Sequence, residues 1–161
     1  MLINKSKDPE KDVNWRTKID ETLINIAIVK SHPEIVKILI NFGANVTSLD
    51  YFDNSALHIA AETGNIEIIS ILLQNGVEVD SKNLRGETPA MLAGKAGKSS
   101  AVEFLVRNGA DPDIKDYQGY SVRQNFDVGH LNPVKEQPTT LTNVRRTNGQ
   151  GSSSTIYINN N

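Results

Sequence analysis

Gly97-Lys98-Ser99 is the stretch whose residue types come closest to chemistry. At the end of a phosphate-binding loop, a lysine and a hydroxyl sit beside a nucleotide's phosphates while backbone N–H groups wrap them. That wrap needs a first glycine five residues before the Gly-Lys pair, and a buried strand ahead of it. Leu92 stands at that position, so the loop is incomplete. His58 is an isolated imidazole, and neither His32 nor His130 has a second ligand at metal spacing. Asn45-Val46-Thr47 matches a glycosylation acceptor, but no secretory signal precedes it. No Ser/His/Asp set or pair of carboxylates stands in a context that implies a shared pocket. The residues predict no catalytic group, no cofactor and no metal.

Composition narrows the function classes further. The chain has 161 residues, 38% of them hydrophobic, and a formal charge of −2. That is room for one domain with some tail, and gives no bulk attraction for nucleic acid or an anionic membrane. Cysteine is absent, which excludes disulfides and thiolate chemistry. The opening MLINKSKDPEKDVNW lacks the apolar stretch of a secretory signal, and no run approaches a membrane span. The expectation is a soluble protein of the cytoplasm or nucleus.

Internal repetition decides what positions these residues. Thr22, Ser55, Thr88 and Ser121 are each 33 residues apart, as are Ala27, Ala60 and Ala93, and Gly43, Gly76 and Gly109. Asp50, Asn83 and Asp116 keep the interval, and so do Leu39, Leu72 and Leu105. In the central unit, Ser55 is placed to cap an inner helix that ends at Gly64. A second helix over about 66–75 carries Ile68, Ile69, Ile71, Leu72 and Leu73 as a wide apolar stripe, and Gly76 ends it. Neither helix can bury that stripe alone, so neighbouring units must stack. In this frame Gly97 is an inter-helix turn, like Gly64 one unit earlier.

"GETPAMLAGKAG", "SALHIAAETGNIEIISILLQNG" and "EIVKILINFGAN" resemble the ankyrin repeat, over roughly residues 17–126. The resemblance implies an all-α repeat solenoid: stacked helix–turn–helix units with β-hairpin tips along one edge, acting as a binding module without catalysis. It also implies that the His58 imidazole ties turns together by hydrogen bonds. The domains it predicts are an N-terminal segment over 1–16 with a partial hairpin, then a repeat domain over 17–130. The repeats fall at about 17–49, 50–82 and 83–115, with a partial fourth over 116–130. Residues 119–128 read as a partial cap on the third repeat, and 131–161 as a disordered polar tail. The first repeat, TLINIAIV, has little polar cover, so Trp15 and its neighbours or a partner must shield it.

The resemblance places partner binding on the tips and on the exposed side of the inner helices. Tyr51, Phe52, Leu84, Tyr117 and Tyr120 form an expected apolar line along the tips, with Arg85 midway. Of nine Phe, Trp and Tyr residues, four are in that line, and interface hot spots favour Tyr and Arg. Asn54, Glu87 and Gln118 belong to the same tips. Glu62, Thr63 and Lys95 extend the surface into the groove, and Lys82 and Lys115 flank it. Residues 17–130 hold ten Lys and Arg against fifteen Asp and Glu, an excess that suits a basic partner surface. The expected function is a small regulator that binds a protein, inhibiting a kinase or a transcription factor. An activating or scaffolding subunit of an enzyme complex is the alternative, and a nucleotide-binding enzyme the remote one.

Overall fold

Thr22, Ser55, Thr88 and Ser121 all have extended backbone, with φ between −76° and −132° and ψ between 157° and 165°, and a helix starts after each. That is the conformation a hydroxyl residue needs to stand just outside a first turn. Thr22 shows the reward directly, since its Oγ1 accepts from the Asn25 N–H at 3.3 Å. The computed structural model describes residues 13–16 and 22–128. Three inner helices follow these caps: α1 (Leu23–Val29), α3 (Ala56–Thr63) and α5 (Pro89–Lys95). Each is followed by an outer helix: α2 (Pro33–Asn41), α4 (Ile66–Gln74) and α6 (Ser99–Arg107). A short α7 (Val122–Asn125) closes the series.

Packing follows the 33-residue frame. Within a unit, α1 lies on α2, α3 on α4 and α5 on α6. Between units, inner helices contact inner helices, outer contact outer, and α7 packs on α5. Ala27, Ala60 and Ala93 are buried where inner helices approach closely, a spacing that larger side chains would prevent. Ile68, Ile69 and Leu72 of α4 are fully buried, and each contributes about 1.5–3 kcal/mol of transfer free energy. Gly43, Gly76 and Gly109 have φ of 85°, 78° and 102°, the left-handed conformation that ends each outer helix.

The tips depart from the expected β-hairpins. Among the described residues there is no strand, only an isolated bridge between Arg16 and Thr22. Each tip is a tight turn closed by its own backbone. The Asp50 N–H donates to the Asn54 carbonyl, Asn83 to Glu87, and Asp116 to Tyr120, each at 3.0 Å. One rung cannot make a ladder, so a turn is all that forms. The polar tail expected over 131–161 lies outside the described residues.

Candidate functional site

Asp50, Asn83 and Asp116 build the tips, and the chemistry of their side chains explains their recurrence. Asp50 Oδ1 accepts from the N–H groups of Phe52 and Asn54, both at 2.8 Å. Asn83 Oδ1 does the same for Arg85 and Glu87, and Asp116 Oδ1 for Gln118 and Tyr120. An Asx side chain thus satisfies two amides that a turn leaves without partners. Neighbouring tips are then tied together, Leu84 N–H to Phe52 carbonyl at 3.0 Å and Tyr117 N–H to Arg85 carbonyl at 3.2 Å. The row is a connected edge.

With the backbone held this way, apolar side chains project outward. Tyr51, Phe52, Leu84 and Tyr117 are all more than half exposed. Tyr51 and Phe52 meet edge to face, with ring centroids 5.4 Å apart. The Tyr117 ring lies against the preceding tip, where a Cβ on Gly86 would come within 2.9 Å of it. Between the first and second tips an open cleft of about 290 Å³ is lined by Phe52, Asn54, Glu62, Leu84, Arg85 and Leu92, with Asn83 and Glu87 beneath. Its apolar surface comes from Phe52, Leu84 and Leu92. Arg85 and Glu62 stand exposed on its walls, without an ion pair among the described residues. Lys82, Lys115 and Gln118 are exposed along the same edge. Thr63 is half-buried, with its hydroxyl donating to the Ala60 carbonyl at 2.9 Å.

Four expected contact residues are engaged with one another or with neighbouring tip residues. Glu87 is buried, with Oε1 accepting from Lys95 Nζ and Oε2 from Asn83 Nδ2, both at 2.8 Å. Lys95 Nζ also reaches Asp116 Oδ2 at 2.8 Å and sits 4.8 Å from the centroid of the half-buried Tyr120 ring. Asn54 joins the same network by accepting from Asn83 Nδ2 at 2.9 Å. Burial alone pushes the Glu87 carboxyl up, but hydrogen bonds from Lys95 and Asn83 outweigh it and hold the group below its usual range. Asp116 is likewise pushed up by burial and brought below its usual range by Lys95 and its two backbone N–H donors. Burial opposes the charged form of Lys95, and the two carboxylates reverse this and raise its pKa. Glu87, Lys95 and Tyr120 therefore brace neighbouring tips, because the buried carboxylates of Glu87 and Asp116 must be matched within the protein. Leu92, which lines the cleft, lacked any signal beyond its place on an inner helix.

The remaining chemical candidates are occupied by the fold. Ser55 N–H donates to His58 Nδ1 at 3.1 Å, so Nδ1 is the acceptor and Nε2 carries the proton it gives to the Glu87 carbonyl at 3.0 Å. The imidazole thus ties an inner helix to the next tip, as the resemblance implied. Gly97 has φ 70° and its N–H, like that of Lys98, is spent on carbonyls of α5. The Lys98 side chain runs over Gly64, where an added Cβ would come within 2.8 Å of it. No group of three or more metal-ligating side chains occurs among the described residues, and no helix among them is long and apolar enough to cross a membrane.

Comparison with known proteins agrees with this geometry. The family model for ankyrin repeats (3 copies) matches residues 1–83 and again residues 24–116. No curated protein matches the chain. Ankyrin repeats generally mediate protein–protein interaction. Asx-built tips joined in a row, paired helices at a 33-residue interval and the family match lead to one conclusion: the chain belongs to the ankyrin-repeat family.

Proposed function

We propose that this chain is a non-catalytic regulator that grips a protein partner along its tips and into the cleft between them. The observation that carries the reading is the exposed line Tyr51, Phe52, Leu84 and Tyr117 beside the cleft. These side chains are not needed to close the tips, whose turns are made by backbone and Asx groups. They offer large area with few rotors to freeze, which is what an interface anchor needs. The acidic repeat body favours a basic partner surface around that apolar line. Such a stack acts by covering another protein's surface, a kinase or a transcription factor in the cytoplasm or nucleus being the class it fits.

The test is affinity capture from native cells with three proteins: the natural chain, a variant with Tyr51, Phe52, Leu84 and Tyr117 changed to alanine, and a control with Glu103 and Arg107 of α6 changed to alanine. Partners should be lost with the tip variant and kept with the control. Equal recovery by all three folded proteins removes the tip surface from the function. Activity of a captured enzyme with and without the chain then separates inhibition from activation or scaffolding.

A further inference from the structure

Glu62 and Lys95 occupy the same place in successive repeats with opposite charges, and the fold answers only one of them. Lys95 of α5 spans Glu87 and Asp116 at 2.8 Å each, so the third unit matches its own charges. One repeat earlier the corresponding three positions hold Glu62, Asn54 and Asn83. There the two amides bind each other, Asn83 Nδ2 donating to Asn54 Oδ1 at 2.9 Å. Asn54 also donates to Asp50, and Asn83 to Glu87. Neither amide turns to Glu62, whose exposed carboxylate makes no hydrogen bond or ion pair among the described residues.

The other unanswered charge of the cleft is Arg85, exposed on the second tip in the place that Phe52 takes on the first. Its guanidinium likewise makes no hydrogen bond or ion pair among the described residues, which leaves five donors open. Glu87 beneath it is already held by Lys95 and Asn83, and Arg85 adds only a weaker pull through space. Glu62 stands in the last turn of α3, about 10 Å along the helix from its cap at Ser55. One charge thus marks the tip and the other the groove. The rest of the exposed lining is apolar, from Phe52, Leu84 and Leu92.

Size and charge together choose the occupant. At about 290 Å³ the cleft falls at the small end of small-molecule sites, and it is open rather than enclosed. Such a shape suits side chains projecting from a protein segment laid across it. Whatever covers the cleft takes water from Glu62 and from Arg85, and an uncompensated charge costs more in desolvation than apolar contact returns. A segment that binds well must therefore bring a cation to one and an anion to the other. A guanidinium takes a carboxylate through two parallel hydrogen bonds, which makes Asp or Glu the match for Arg85.

We propose that the cleft selects a linear protein segment by its charge order: Lys or Arg against Glu62, an aliphatic side chain on Phe52, Leu84 and Leu92, and Asp or Glu against Arg85. This assignment rests on the tip-binding reading above and adds a sequence preference to it. A wholly basic segment meets repulsion at Arg85, and a wholly acidic one meets it at Glu62, so the pair rejects wrong partners as well as holding the right one. The acidic repeat body draws basic partners in, and Arg85 sorts among them.

Short random segments displayed against the full chain, with the selected ones then made as synthetic peptide probes, test the charge order. Selected segments should carry a basic and an acidic residue on opposite sides of an aliphatic one. Glu62→Arg should weaken such a peptide about tenfold or more, and exchanging the peptide's basic residue for an acidic one should restore binding. Arg85→Glu should behave in the same way toward the peptide's acidic residue. Neither side chain is tied to the fold, so both variants should melt with the natural chain. If either does not, Glu62→Gln or Arg85→Gln takes its place, with a smaller loss expected. Glu103→Arg on α6 shifts the net charge as much as Glu62→Arg and should leave affinity unchanged. Peptides lost when Phe52 and Leu84 become alanine, yet indifferent to both reversals, would overturn the charge order and leave the tip surface standing. Selected segments without that order, or no selected segment at all, would overturn it too, and the capture experiment on the tips would still decide the broader reading.

Discussion

Asn25, His58 and Met91 occupy the same place in three successive repeats, and only the imidazole satisfies the groups around it. Both polar atoms of the buried Asn25 amide, and the Thr88 hydroxyl beside Met91, lack a partner among the described residues. Asn is too short to reach the next tip, and Met has nothing to donate. The third repeat is otherwise prepared for histidine, since Asp116 N–H meets the Tyr120 carbonyl as Asn83 N–H meets that of Glu87, both at 3.0 Å. Met91→His should therefore stabilise the fold by about 1 kcal/mol, roughly 4 °C in melting temperature, by satisfying Thr88 Oγ1 and adding a bond to the Tyr120 carbonyl. A lower melting temperature would show that lost apolar burial outweighs the new bonds. His58 also gives stability a pH dependence. Burial lowers its pKa below the usual value near 6.5, against the opposing pull of the Glu87 carbonyl and the Asp50 and Glu87 charges. Protonation thus favours the unfolded chain. The contribution is complete above about pH 6.5 and is lost as pH falls below it. Glu87 and Asp116, held below their usual ranges, stay ionised over that interval. Urea midpoints at pH 7.5 and 5.5 should fall for the natural chain and fall less for His58→Gln.

At the scale of elements, α5 shows how a local rule is overturned by a neighbour. Glycine inside a helix costs about 1 kcal/mol relative to alanine, so Gly94 reads as a defect and Gly94→Ala as a repair. A Cβ there would instead lie 2.7 Å from the Phe126 ring and 3.0 Å from the Tyr120 hydroxyl. The glycine makes room for the side chains that close the end of the stack. Gly94→Ala should thus fail to stabilise and should displace Phe126. Thermal melts, with proteolysis after residue 118 as the local readout, check this, and a raised melting temperature with unchanged proteolysis contradicts it. The same distinction marks what the sequence made legible. Helix caps, the outer-helix glycines and the tip Asx residues recur because one backbone conformation in each unit demands one residue type, so a single period exposes them. The fate of Glu87 did not appear, because its burial depends on Lys95 eight residues on and on Asp116 in the next unit's tip. A charge on a turn reads as solvated until the neighbouring unit is in place. The hairpin expectation failed for a related reason: the tips turn as expected, but with one rung apiece they carry no ladder.

On the scale of the molecule, stability in a stack is shared between each unit and its neighbours, so the ends set where it opens first. The central unit, α3 and α4, is packed on both sides. The third unit is covered by α7, Phe126 and Val128. Among the described residues the first has its helical neighbours, α3 and α4, on one side only, and Ile35 and Ile38 on the other side are about half exposed. Opening α1 and α2 breaks one inter-unit junction, while opening α3 and α4 breaks two. Amide hydrogen exchange should therefore be fastest in α1 and α2 and slowest in α3 and α4. Uniform protection across all three units would mean that they unfold as one cooperative block, and the single-sided first unit would then carry no weakness of its own.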